Sequence, residues 1–175
     1  MERPILFKTD LVRAILDGRK TQTRRPIKKV PKGQFAGVFE LLTPKGKGLY
    51  ARFEDGNEVN WVAFPWGNSG DYLWVRETFH KDENGIIYKA DYRDGSYPDL
   101  SWKPSLHMPR SDSRILLIIR YVLVERIQSI THIGAINEGA SSREDFRNIW
   151  DACYSGTEFS WECNPLVWTV GFRRV

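Results

Sequence analysis

Eight residues near the N-terminus, Gly18-Arg19-Lys20-Thr21-Gln22-Thr23-Arg24-Arg25, set two hydroxyls among four cations. A lysine beside other cations loses basicity, because a second positive charge disfavours its protonated form. Such a lysine can act as a general base near neutral pH, and a threonine hydroxyl is a nucleophile that such a base activates. Lys20 and Thr23 lie three residues apart. Their side chains meet if the segment turns helically and diverge if it is extended. Gly18 lets the backbone come close to a ligand. The same eight residues would equally suit a solvated basic loop.

A second cluster runs from Gly70 to Glu77. On a strand, Tyr72, Trp74 and Arg76 share one face, and Leu73, Val75 and Glu77 the other. Six aromatics fall between Trp61 and Phe79. Rings beside cations are what a base-stacking surface needs, and rings alone are also what fills a core. Glu77 is a potential partner for one of the arginines. Glu138 closes a short polar turn, Ile136-Asn137-Glu138-Gly139, and nothing in its local spacing ties it to Lys20. The chain has no phosphate-binding Gly-Lys-Ser/Thr loop, no dinucleotide fingerprint, no His-Glu-x-x-His and no serine nucleophile elbow. His80, His107 and His132 are scattered, so no metal site and no cofactor are expected. Cys153 and Cys163 are too few for a disulfide framework and read as buried or idle thiols of a reducing cytoplasm.

The charge distribution points to the same segment. The 175 residues hold 26 Lys and Arg against 22 Asp and Glu, a net +4. Residues 18–39 carry seven cations and no acid, leaving 19 cations against 22 anions elsewhere. A near-neutral body with one basic edge suits a nucleoside or a short single-stranded RNA better than a long duplex. The length fits one domain, 1–175. No apolar run is long enough for a membrane span and no signal-peptide core is visible, so a cytoplasmic protein without a membrane partner is expected. Oligomeric state is not legible.

The elements that must position these residues follow from patterning. Pro4–Phe7 predicts a short strand, and Asp10 caps a helix that Gly18 ends. Pro26 and Pro31 keep the following stretch irregular or extended. Residues 35–42, 48–53, 59–64, 72–79 and 86–92 predict strands with Gly- and Asn-rich turns between them. Residues 93–113 predict a long ordered loop. The nearly continuous apolar run 115–127 predicts a strand buried on both faces or a long bent barrel strand. Residues 131–138 predict one or two helical turns. A longer helix is capped by Ser142 with Asp145 in a capping-box pattern, and a last strand covers 166–172. Many strands without crossover helices predict an α+β fold, a small mixed or antiparallel β-barrel with peripheral short helices.

Together these segments resemble the ASCH-domain family, a branch of the PUA-like β-barrel superfamily. Its signature is Gly-x-Lys-x-x-Glu-x-Arg, matched here by Gly18, Lys20 and Arg25, with Thr23 in the Glu position. That departure resembles the branch of bacterial N4-acetylcytidine amidohydrolases, whose Gly-Arg-Lys-Thr-x-Thr-x-Arg matches at every fixed position. The resemblance implies catalytic roles for Lys20, Thr23 and, through a shorter Ala-x-x-Glu match at 135–138, Glu138. The basic and aromatic segments themselves supply the substrate-binding candidates Arg24, Arg25, Trp74, Arg76 and Glu77. Stretches 70–77, 102–110 and 164–168 are similar to the longer phage- or prophage-type members, and the resemblance makes residues 40–113 an elaborated middle section that the small amidohydrolases lack. The implied activity is hydrolysis of an N4-acylated cytosine nucleoside by a Lys-activated Thr. The alternatives are an RNA- or modified-base-binding module without catalysis, and a metal-independent ribonuclease.

Overall fold

A computed structural model describes residues 1–44, 46–93 and 95–175. The chain runs β1 (Glu2–Leu6), α1 (Thr9–Leu16), β2 (Gln22–Pro26), β3 (Gln34–Thr43), β4 (Gly46–Asp55), β5 (Glu58–Ala63), β6 (Tyr72–Arg76), β7 (Phe79–Asp82), β8 (Gly85–Tyr88), β9 (Leu116–Arg126), α2 (His132–Asn137), α3 (Arg143–Tyr154) and β10 (Leu166–Arg174). This is an α+β fold with few helices.

The strands do not close into the expected barrel. They form a five-stranded sheet in the order β1-β6-β9-β10-β2, a three-stranded sheet β3-β4-β5 and the hairpin β7-β8. In the large sheet β1 runs parallel to β6, and every other pairing is antiparallel. Its two edges each contain a proline, Pro4 in β1 and Pro26 in β2. A proline has no N–H to give a neighbouring strand, which suits both strands to edge positions. The sheet nonetheless curls until its edges face each other. The Arg25 guanidinium on β2 donates to the Leu6 carbonyl on β1 at 2.5 Å, so a side chain spans a seam that no ladder closes.

Strand β10 sits between two apolar clusters. Trp168, Val170 and Phe172 enter the main core with Leu73, Val75, Leu117 and Ile119. Val167 faces the opposite way, into a second cluster with Phe146, Trp150 and Trp161 beneath α2 and α3. Ala51 and Phe53 of β4 belong to the main core, so the middle section packs into the same interior.

Several local expectations change. Helix α1 begins one residue before Asp10, after Lys8, and no side chain caps it; Asp10 lies in the first turn and pairs with Arg13 at 2.7 Å. Strand β9 is not buried on both faces; its inward residues Leu117 and Ile119 alternate with more exposed ones. It is long and irregular, with a register shift opposite Gly171/Phe172. The 72–79 strand breaks after Arg76. The 86–92 strand ends at Tyr88, where Arg13 draws the Ala90 and Tyr92 carbonyls into a tight turn. Ser142 does cap α3, accepting from Asp145 N at 3.0 Å, but the Asp145 carboxylate turns to Ser141 and no capping box forms. The stretch 22–26, expected to be irregular or extended, is extended, as strand β2. Both cysteines are exposed.

Candidate active site

Lys20 is fixed by three backbone ties. Helix α1 ends at Leu16, and Gly18, two residues on with a φ of 74°, takes the left-handed conformation that closes a helix C-terminus. Lys20 N then donates to Ala14 O at 2.9 Å. The next residue, Thr21, donates to Asn137 O at 2.8 Å and accepts from Phe172 N at 2.8 Å. The segment is thus clasped between the ends of α1 and α2 and strand β10.

Glu138 follows α2 directly, and Gly139, at φ 89°, turns the chain away. A side chain at 139 would place its Cβ 2.9 Å from Ala14 Cβ and 3.3 Å from Lys20 Cβ. Glycine therefore lets the α2 terminus approach Lys20. The Lys20 ammonium donates to the Glu138 carbonyl at 2.8 Å and to Glu138 Oε2 at 2.5 Å. Residues 118 apart in sequence meet in the interior, with the Lys20 side chain fully buried and that of Glu138 only 6% exposed.

The network continues along the helix-facing side of the sheet. Arg24 donates from Nη1 to Glu138 Oε1 at 3.2 Å and from Nε to Glu125 Oε1 at 2.8 Å. Thr169, opposite Arg24 on β10, donates to the same Glu125 oxygen at 2.7 Å. Two cations and two carboxylates alternate in one chain, and the local charge balances. A buried charge without such partners would be costly, which explains why Lys20 and Arg24 are tolerated inside.

Burial lowers the Lys20 pKa below the ordinary lysine value, with smaller contributions from the Arg25 and Arg24 charges. The Glu138 carboxylate acts in the opposite direction and restrains the shift. The direction matches the sequence expectation, but desolvation, more than neighbouring cations, is its main cause.

Thr23 is 3% exposed. Strand alternation turns it away from Arg24 and onto the face of Arg25, opposite Val170. Both hydrogen bonds of the Lys20 ammonium go to Glu138 and neither goes to Thr23. On that second face Phe7 is the common neighbour, its ring centroid 5.5 Å from Lys20 Nζ and 5.2 Å from Arg25 Cζ. Arg25 lines two hollows of about 260 and 380 Å³ on the seam between β1 and β2. Thr78, Pro104 and Ser105 of the middle section form part of the larger one's wall. Lys20 itself borders a different hollow, of about 370 Å³, beside Asp17 and Gly18 at the end of α1.

The remaining expected binding residues are not brought to Lys20. Arg76 braces the 105–108 turn, donating to Met108 O at 2.9 Å and to Leu106 O, with its guanidinium 5.3 Å from the Trp74 ring. Trp74 is half-buried on the face of β6 turned away from the main core, so it is not placed to stack on a base at Lys20. Glu77 is 1% exposed and grips Arg114 through both oxygens, at 2.9 and 3.0 Å. It pairs with none of the arginines of the basic segment. Burial raises its pKa against the pull of Arg114. Arg24 serves the ion network in the interior. The six aromatics also separate: Trp61 is exposed on the three-stranded sheet, while Phe64 and Phe79 are buried.

Three participants were missed from the sequence: Phe7, Glu125 and Thr169. Glu125 carried a signal, being an acid at the end of an otherwise apolar strand. Phe7 and Thr169 carried none.

No family model, curated protein or solved structure matches this chain. The geometry therefore carries the functional argument. Among the described residues no group of three or more His, Cys, Asp and Glu is disposed to hold a metal ion, and no helix is long and apolar enough to cross a membrane.

Proposed function

We propose that the chain is an amidohydrolase of N4-acylated cytosine nucleosides or a related modified base, built on a PUA-like, ASCH-type scaffold. The observation that carries this reading is the meeting of Lys20 and Glu138 at 2.5 Å in the interior. Local sequence gave no reason for that contact, and the family resemblance required it.

In the proposed reaction, neutral Lys20 takes the Thr23 hydroxyl proton on Nζ. Thr23 Oγ1 forms a bond to the acyl carbonyl carbon, and the carbonyl π electrons move onto oxygen. The tetrahedral intermediate collapses, the C–N4 bond breaks and its electron pair goes to the exocyclic nitrogen. That nitrogen takes a proton held between Lys20 and Glu138 and leaves as the amine of cytosine. Water then hydrolyses the acyl ester and restores Thr23. Arg25, on the same strand face as Thr23 and lining the seam, orients the base or stabilises the oxyanion. Access to Thr23, only 3% exposed, requires the side chains that cover it to give way.

The closed state of Thr23 favours one second reading, a modified-base- or RNA-binding module in which the Lys20-Glu138-Arg24-Glu125 chain is structural. The experiment that separates them is hydrolysis of N4-acetylcytidine by the wild type, Lys20→Ala and Thr23→Ala. The hydrolase reading expects turnover only in the wild type. Equal rates in all three, or none in any, would exclude it.

A further inference from the structure

The seam does not end at Arg25. The hollow bounded by Phe7, Lys8 and Ser105 shares Leu6 and Arg25 with the one bounded by Lys28 and Trp66. The latter shares Phe159 with a third hollow, of about 600 Å³, bounded by Lys29, Phe35 and Arg126. The three adjoin along one side of the molecule. Their walls hold five cations, Lys8, Arg25, Lys28, Lys29 and Arg126, and a single acid, Glu158.

None of these cations has a carboxylate partner among the described residues. Lys8, Arg25 and Arg126 reach only backbone carbonyls, of Ala152, Leu6 and Asn164. Lys28 and Lys29 are exposed and follow directly on the Arg25-Pro26-Ile27 strand end, with Lys29 held at φ 59°. Elsewhere on the surface some cations, such as Arg93, Arg110 and Arg147, are tied to acids, and others, such as Arg3, Lys103 and Arg173, have no acid partner among the described residues; this side is set apart by the run of adjoining hollows that its cations line. Aromatic rings interleave with the free charges: Trp66, Tyr154 and Phe159 border the middle hollow, and Phe35 the third. Phe159 stands between two hollows, where a base could stack on it while phosphates track the lysines.

We infer that this run of hollows is a groove for a single-stranded polynucleotide, entering past Lys29 and Lys28 and delivering one base to the seam at Arg25. The inference deepens the hydrolase reading, on which it rests for the fate of that base: the substrate is a modified base within a single strand, and a free nucleoside is its minimal fragment. The row of unpaired cations fits a polyanion. Stacking between rings requires exposed bases, which a duplex does not offer.

The test is fluorescence anisotropy with a labelled oligocytidine of about 12 nucleotides, a length within the ~4–16 of single-strand sites, as RNA and as DNA, with a duplex of equal length as comparison. The wild type should bind a single strand more tightly than the duplex, and the RNA-to-DNA ratio tells which polymer is preferred. The double variant Lys28→Ala/Lys29→Ala should bind on the order of tenfold more weakly, and its salt dependence should flatten by about 1.4, at ~0.7 per lost phosphate contact. Phe159→Ala should lose affinity with an unchanged salt slope. The charge-matched variant Lys47→Ala/Arg120→Ala, away from the groove, should bind as the wild type. No binding by the wild type, preference for the duplex, or equal losses in the two double variants would overturn the groove. Lys47→Ala/Arg120→Ala should also turn over free N4-acetylcytidine at the wild-type rate. Binding without turnover in every chain would remove the hydrolase and leave the groove standing, so the two failures are distinguishable.

Discussion

Desolvation sets the chemistry of Lys20. An ammonium taken fully out of water gives up its proton more readily, and Glu138 at 2.5 Å keeps it from doing so completely. Two predictions follow from that balance. In the proposed reaction the neutral amine is the base, so activity should rise with pH along a limb whose midpoint lies below the ordinary lysine value of 10.5. Stability should move the same way. Between the lowered folded value and the unfolded value, the unfolded chain binds more protons, so the fold gains stability as pH rises through that window. Comparing urea midpoints of wild type and Lys20→Met across the alkaline range checks this, and the variant should lack the rise. Arg24 has a different part at this scale. Arg24→Met leaves Glu125 and Glu138 short of a cation in the interior and should cost about 3–5 kcal/mol by denaturant unfolding. The Lys20 and Thr23 pairing was legible as a motif because the residues are neighbours in sequence. The bond of Lys20 to Glu138 was not, since 118 residues separate the two and only the folded chain closes that distance.

Elements position these residues through a few backbone positions. Gly18 ends α1 and Gly139 ends α2, both in the left-handed region. Together they bring two helix ends against one strand. Gly139→Ala would meet strain at φ 89° and press on Ala14 and Lys20. Its thermal unfolding should show a loss of about 1–3 kcal/mol, and turnover should fall further than stability alone explains, because Glu138 is displaced from Lys20. Most strands and both longer helices were readable from periodicity and turn residues, which act locally. Strand β2 was less so. Its polar sequence Gln22-Thr-Arg-Arg-Pro has the alternation of an edge strand, but its buried polar face makes sense only with Glu125, Thr169 and Glu138 opposite. The short 72–76 strand was overextended for a related reason. Glu77 is fixed by Arg114, and Phe79 by its exchange of backbone hydrogen bonds with Lys103, partners that no window of sequence contains.

At the scale of the whole molecule, the sheet is curled and open. Two proline-bearing edges face each other across a seam that Arg25 spans, and the seam is where the basic segment comes to the surface. The barrel expectation overstated closure, since strand content and order carry no information on whether the first and last strands pair. The middle section is integral to the interior. Ala51 and Phe53 lie in one cluster with Leu117 and Ile119. Excising residues 34–63 should therefore abolish cooperative thermal unfolding as followed by circular dichroism, whereas a detachable insert would leave the transition in place. The basic segment behind the net charge of +4 is divided by the fold: Lys20 and Arg24 are buried in the ion network, Arg19 pairs with Asp17, and Arg25, Lys28 and Lys29 line hollows on the seam side.

The most direct test of the central claim is acid-quenched mass spectrometry of the protein mixed with N4-acetylcytidine, read against Thr23→Ala. The wild type should become heavier by one acetyl group, mapped to the peptide containing Thr23, and Thr23→Ala should show neither adduct nor cytidine release. Cytidine release by Thr23→Ala at the wild-type rate, with no acetyl group on the wild-type peptide, would contradict it.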